Sequence, residues 1–79
     1  TQRERQVFEF VVRGKLNKQT AHSLGIAERT IKAHRRRIFE KLSARSITDL
    51  VSLAERLGVL SDEAEAAFSG ELAHLTEKP

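Results

Sequence analysis

Apolar residues recur along this chain at helical rather than strand spacing. Val7, Phe8, Phe10, Val11 and Val12 fall at mixed i+3 and i+4 intervals, which predicts a helix over residues 2–13 with one broad apolar face. Gly14 is a stop signal, and residues 13–15 turn the chain. Asn17 is a favoured N-cap, so a short second helix is expected over 18–24, ended by Gly25, with Ala21 and Leu24 facing inward. A third helix is predicted over 28–42. Its Ile31, Ile38 and Leu42 stand at i, i+7 and i+11, a narrow inner stripe flanked by His34 and Arg35. After a connector at 43–45, Ser46 and Asp49 resemble a capping box with Asp in place of Glu. The fourth helix then runs over 47–57 and stops at Gly58. Leu50, Leu53, Ala54 and Leu57 form its core face, and Ile47 and Val51 a smaller apolar strip beside it. Beyond Leu60, Ser61, Asp62 and Glu63 cap a short helix through residue 68, Ser69 and Gly70 break it, and 71–79 fray. The expected fold is all-α: a four-helix domain at 1–60 and an acidic C-terminal tail at 61–79 with a short extra helix at 62–68.

The most informative unit is 17–42. Two helices crossing steeply need a small residue at closest approach, which Ala21 supplies, and a tight turn between them favours Gly25. Ile26 and Ile31 pin the second helix across the first. This is helix-turn-helix geometry, in which the second helix enters the DNA major groove. With Lys32 set at zero and 100° per residue, Arg36 lies at about 40°, Arg29 at about 60° and Ala33 at about 100°, with the core stripe near about −100°. Arg29, Lys32, Ala33 and Arg36 thus share the face opposite the core, with Arg37 at its edge, near about 140°.

Composition sharpens this picture. Seventy-nine residues make one small domain, too small for a deep multi-element active site. Cysteine is absent, which excludes disulfides and thiolate zinc sites. There is no apolar run long enough for a membrane span, and no signal peptide, so a cytoplasmic chain or an internal fragment is expected. The absence of Met points to a boundary inside a longer protein. The net charge of +3 conceals a division. Residues 1–45 carry twelve Lys and Arg against four Glu, and residues 46–79 two against seven Asp and Glu. Residues 29–45 hold seven basic residues against Glu40 alone, which points to a polyanionic partner.

Several stretches carry a resemblance. Arg3-Glu4-Arg5-Gln6-Val7, Gly14, Asn17-Lys18, Ala21, Leu24-Gly25-Ile26, Thr30-Ile31-Lys32-Ala33-His34-Arg35, and Ile38 with Lys41-Leu42 together resemble the LuxR-type (GerE) helix-turn-helix domain. Residues 25–35 and Ala44-Arg45-Ser46-Ile47 are most similar to its FixJ branch, the two-component response regulators. The resemblance covers about residues 1–60. It implies a four-helix DNA-binding domain, a recognition helix at 28–42, weak homodimerisation through the fourth helix, and an upstream phosphoacceptor receiver domain that this chain lacks. The sequence departs from the family at Ala27, where a capping Ser or Thr is usual, at Thr20, where a bulky aliphatic is usual, and at Ile47, where Arg is common.

The family positions matched by Lys32, Ala33 and Arg36 face base edges, where Arg can bond guanine bidentately and Ala can meet a thymine methyl. Asn17, Lys18, Arg29, Thr30, His34, Arg37 and Lys41 are the candidates for phosphate contact, which fixes register without reading sequence. For His34, packing at the core edge is the competing reading. His22 and His74 lack metal-ligand spacing and read as surface residues, and Glu4 reads as an ion-pair partner of neighbouring cations. Ile47 and Val51 are the candidate dimer strip. No catalytic residue, cofactor or metal is expected. The expected function is sequence-specific binding of double-stranded DNA by the output domain of a bacterial transcription regulator, with RNA polymerase as a further candidate partner. Two alternatives stay open: a sigma-factor region-four-like domain, and a helical protein-interaction module using the acidic C-terminal half.

Overall fold

The computed structural model describes residues 1–76, with side chains described through residue 73. Five helices follow one another: α1 (Gln2–Val12), α2 (Asn17–Leu24), α3 (Glu28–Lys41), α4 (Ile47–Arg56) and α5 (Asp62–Thr76). There is no strand among the described residues.

Each helix end has a local cause. Thr1 opens α1 with a capping box: its hydroxyl accepts from the Glu4 N–H at 3.1 Å, and Glu4 Oε1 accepts from the Thr1 nitrogen at 3.5 Å. At the other end Gly14 adopts φ +76°, which lets Lys15 N–H return to the Phe10 carbonyl at 3.1 Å and Gly14 N–H to Val11 at 3.0 Å. The α3 terminus makes the same reversal without glycine. Ser43 sits at φ 53°, and Ala44 N–H bonds the Phe39 carbonyl at 3.0 Å. Asn17 is not an N-cap. Leu16 holds that position with extended backbone, and the Gln19 side chain accepts from its N–H at 2.9 Å, so Asn17 is the first helical residue. Ser46 caps α4 as expected, accepting from Asp49 N–H at 3.2 Å. The Asp49 carboxylate reaches back one residue further than a capping box requires, to Arg45 N–H at 2.9 Å.

The core is centred on α1, whose Val7, Phe8, Phe10, Val11 and Val12 are all buried. Ile31 and Ile38 of α3, Ala21 and Leu24 of α2, and Leu50 and Ala54 of α4 close around it, with Val7, Ile31, Leu50 and Ala54 wholly out of solvent. Thr20, where an aliphatic was the expected choice, is also buried, and its hydroxyl donates to the Leu16 carbonyl at 3.0 Å. Four core expectations change. Leu42 is 41% exposed and Leu57 64%, because both sit one residue past the last helical turn, where their helices have left the centre. Val51, assigned to a strip off the core, is half-buried and packs against the core cluster, whereas Leu53 is half-buried at its margin.

The largest departure is α5. Ser69 and Gly70 do not break it, and the helix continues through 71–76, where fraying was expected; residues 77–79 lie outside the described residues. A mid-helix glycine costs about 1 kcal/mol relative to alanine, and docking on either side of Gly70 offsets it. Phe68 meets Phe10 edge-to-face with ring centroids 5.0 Å apart, and Leu72 also packs on the core. Arg13, read in the sequence only as a turn residue, holds this helix down. Its side chain is 7% exposed, and its Nε donates to Glu65 at 2.8 Å. Nη1 donates to the Glu9 carbonyl at 2.7 Å and Nη2 to the Val59 carbonyl at 2.9 Å, while the guanidinium lies 4.1 Å from the Phe68 ring centroid.

Glu4 is buried and accepts a 2.7 Å bond from Lys41 Nζ, tying the start of α1 to the end of α3. That hydrogen bond holds its carboxyl below the ordinary value of 4.5, against the opposing push of burial. A carboxyl depressed in the folded state stabilises fully above its unfolded pKa, and the contribution is lost as pH falls through the folded value. Glu4→Gln is therefore expected to flatten the decline in stability as pH drops below about 4.5, measured by urea denaturation across an acid series. Arg13→Ala is expected to cost about 2 kcal/mol, since it strips several charge-assisted bonds from a buried site. Combined with Phe68→Ala it should cost less than the two single losses together, because the two side chains touch.

Candidate nucleic-acid interface

The α3 helix lies against α1 and α2 and turns Ile31 and Ile38 into the core. The opposite face is therefore left to solvent by geometry alone. Arg29, Thr30, Lys32, Ala33, Arg36 and Arg37 are all exposed there. Among the described residues, none of the four cations in this set is in an ion pair. Like charges at this density repel one another, and a polyanion laid along the face relieves that repulsion. Ala33 is the small residue on this face, between Arg36 and Arg37 around the helix, and its short side chain leaves room for an apolar group to approach. Ala27, the residue before α3, gives no side-chain cap, as the sequence indicated, so the first amides of α3 have no side-chain acceptor at their N-cap.

The remaining candidates divide. Lys18 is exposed at the start of α2, close in sequence to the half-buried Asn17. The Asn17 Oδ1 is occupied by Arg35 of α3, whose Nη1 donates to it at 3.2 Å. Lys41 points the other way along the domain. Its ammonium, on a side chain 59% exposed, is bonded to Glu4, so its charge is already matched within the fold. His34 is half-buried, and its Nδ1 is closed off from solvent without a hydrogen-bond partner among the described residues. The imidazole thus does not stand free on the outer face with Lys32 and Arg36. Glu4 is an ion-pair partner as read, and His22 is exposed, whereas the His74 side chain lies outside the described residues. On α4, Ile47 is 43% exposed and Val51 half-buried, so the expected strip is open at one end only.

Sequence reasoning missed the long-range partners of three cations that shape the site. Arg13, Arg35 and the Glu4–Lys41 pair join elements 18 to 52 positions apart in the chain, and no local spacing signals them. The Thr1–Glu4 capping box was missed as well, although its Thr-x-x-Glu spacing is a local motif that could have found it.

The acidic half of the chain lies elsewhere. Asp62, Glu63 and Glu65 stand in the first turn of α5, which packs on α2 and α1. No helix among the described residues is long and apolar enough to cross a membrane. Among the same residues, no group of three or more His, Cys, Asp or Glu is placed to hold a metal.

Comparison with known proteins gives this face a context. A family model described as "Bacterial regulatory proteins, luxR family" matches residues 1–54. The response regulator protein TodT of Pseudomonas putida is 54% identical over 57 residues, covering 72% of this chain and 25% of that protein. Nodulation protein W of Bradyrhizobium diazoefficiens is 41% identical over 63 residues, covering 80% and 28%. The transcriptional regulatory protein FixJ of Azorhizobium caulinodans is 44% identical over 59 residues, covering 75% and 28%. The chain thus spans about a quarter of the length of these relatives. No solved structure matches it significantly.

Proposed function

The chain belongs to the luxR family of bacterial regulatory proteins as a LuxR-type DNA-binding domain, and from that premise we propose that α3 is its recognition helix, seated in the major groove of double-stranded DNA. The observation that carries this reading is the solvent face of α3, where Ala33 and four cations with no ion pair among the described residues lie opposite the buried Ile31 and Ile38. Lys32, Ala33 and Arg36 then meet base edges. Arg36 supplies the bidentate fork that guanine accepts, and Ala33 the methyl contact that thymine accepts. Arg29, Thr30, Arg37, Lys18 and Asn17 meet phosphates and fix register. Lys41 adds less to this attraction, since Glu4 neutralises it. Domain 1–60 carries the binding surface. In the longer protein, a receiver domain would govern access to DNA by its phosphorylation state, and the whole would work in the cytoplasm without catalysis by this domain.

We further propose a weak two-fold contact through α4, with exposed Ile47 at its centre and Leu57 at its edge. This apolar area falls far short of the roughly 1,200–2,000 Å² of a stable interface. The pairing therefore forms on DNA carrying two half-sites about one helical turn apart.

Titrating a labelled duplex at two salt concentrations tests the central claim. Binding that weakens steeply with salt is expected, whereas a protein-interaction module would leave the duplex free. Arg36→Ala should lose roughly 1–3 kcal/mol on the preferred site and relax base choice at one position per half-site. Equal loss on random duplexes would reassign Arg36 to the backbone. Ile47→Glu should leave half-site binding unchanged and abolish cooperativity on a two-half-site duplex. Val51→Glu is not the variant for that test, since Val51 packs against the core and its loss should lower thermal stability instead.

A further inference from the structure

Arg35 stands outside the base-reading face. It lies four residues after the fully buried Ile31, is half-buried, and sends Nη1 across to Oδ1 of Asn17 at 3.2 Å, linking α3 to the first residue of α2. A guanidinium has five donors and no acceptor, so the arm of the Asn17 amide that faces it is the carbonyl oxygen. The other arm of the same planar group is then the NH2. That nitrogen has no protein partner among the described residues and is not closed off from solvent.

We infer that Arg35 is a positioning residue for DNA binding: by holding Oδ1 of Asn17, it fixes the Asn17 amide with its NH2 outward, as a neutral donor to a backbone phosphate. The inference rests on the DNA-binding reading above and assigns Arg35 a role that acts through Asn17 rather than by direct contact. Without Arg35, the Asn17 side chain is free to rotate and to present its oxygen, an acceptor, to a phosphate that is itself acceptor-only. The link also sets the start of α2 against the middle of α3, so the phosphate contact and the base contacts share one frame.

The test uses four variants of this chain, a duplex carrying the preferred site, and a series of salt concentrations. The parent must bind with a steep salt dependence. If it does not, the DNA-binding reading itself fails, and the role of Arg35 with it. Asn17→Asp gives Arg35 a charged partner and places an acid at a helix start, so its melting temperature should match or exceed the parent's. Its DNA affinity should nonetheless fall at least about tenfold, because a carboxylate now faces the phosphate. Arg35→Ala should lose about fivefold in affinity with the salt slope unchanged, since the contact it supports is neutral. The double variant Asn17→Ala/Arg35→Ala should bind no worse than Asn17→Ala alone. Asn17→Asp binding as tightly as the parent overturns the proposal. So does a salt slope reduced by about one in Arg35→Ala, which would make Arg35 itself a phosphate contact. Additive losses in the double variant overturn it as well.

Discussion

The packing of α3 on α1, with Ile31 and Val7 entirely out of solvent, is the constraint on which the rest of this structure depends. A 14-residue helix carrying this many cations has little reason to fold alone. It is held by a narrow apolar stripe, Ile31 and Ile38, against a helix that is apolar over most of its inner side. Burial of β-branched residues at two successive contacts fixes the rotation of α3 about its own axis. Once that rotation is set, Lys32, Ala33 and Arg36 have nowhere to point but outward. The exposed cationic surface is thus a by-product of core packing.

Directional polar ties then refine what the core only approximates. Arg13, Lys41 and Arg35 each cross between helices, and each satisfies a group whose desolvation would otherwise be costly. Their effects differ with their surroundings. Arg13 is nearly inaccessible and fully engaged, so it locks α1 to the α4–α5 connection and to α5. Lys41 is more than half exposed, and its value lies in keeping the buried Glu4 ionised. Arg35 is intermediate, half-buried and bonded to the half-buried Asn17 at the start of α2. Basic residues in this domain are therefore of two kinds. Some are matched inside the fold, and some are left unmatched on one face.

The fifth helix extends beyond the region matched by the family model, which ends at residue 54. It is nonetheless integrated with the family core through Phe68 on Phe10, Leu72 on the core margin and Glu65 on Arg13. Its acids at the start of the helix also suit the positive end of the helix dipole. The charge division seen along the chain becomes a division in space, with cations on the outer side of α3 and acids on α4 and α5.

The sequence by itself determined the elements and their faces. The first four helices, the Gly14 and Gly25 stops, the Ser46 cap and the outward set on α3 were all legible, because each depends on residues within one or two turns of one another. Tertiary structure decided the rest. Periodicity put Leu42 and Leu57 inside, yet both stand exposed past the ends of their helices, where only the position of the neighbouring helix decides burial. It put Val51 outside, yet the core reaches it. Ser69-Gly70 read as a break, yet α5 continues because Phe10, nearly sixty residues away, gives Phe68 a surface to dock on. Lys41, Arg35 and Arg13 looked alike as basic residues. Their partners Glu4, Asn17 and Glu65 lie 37, 18 and 52 positions distant, and only folding sorts a free cation from a paired one. Spacing reports which face a side chain occupies, whereas what stands opposite that face is set by chain segments far away in sequence.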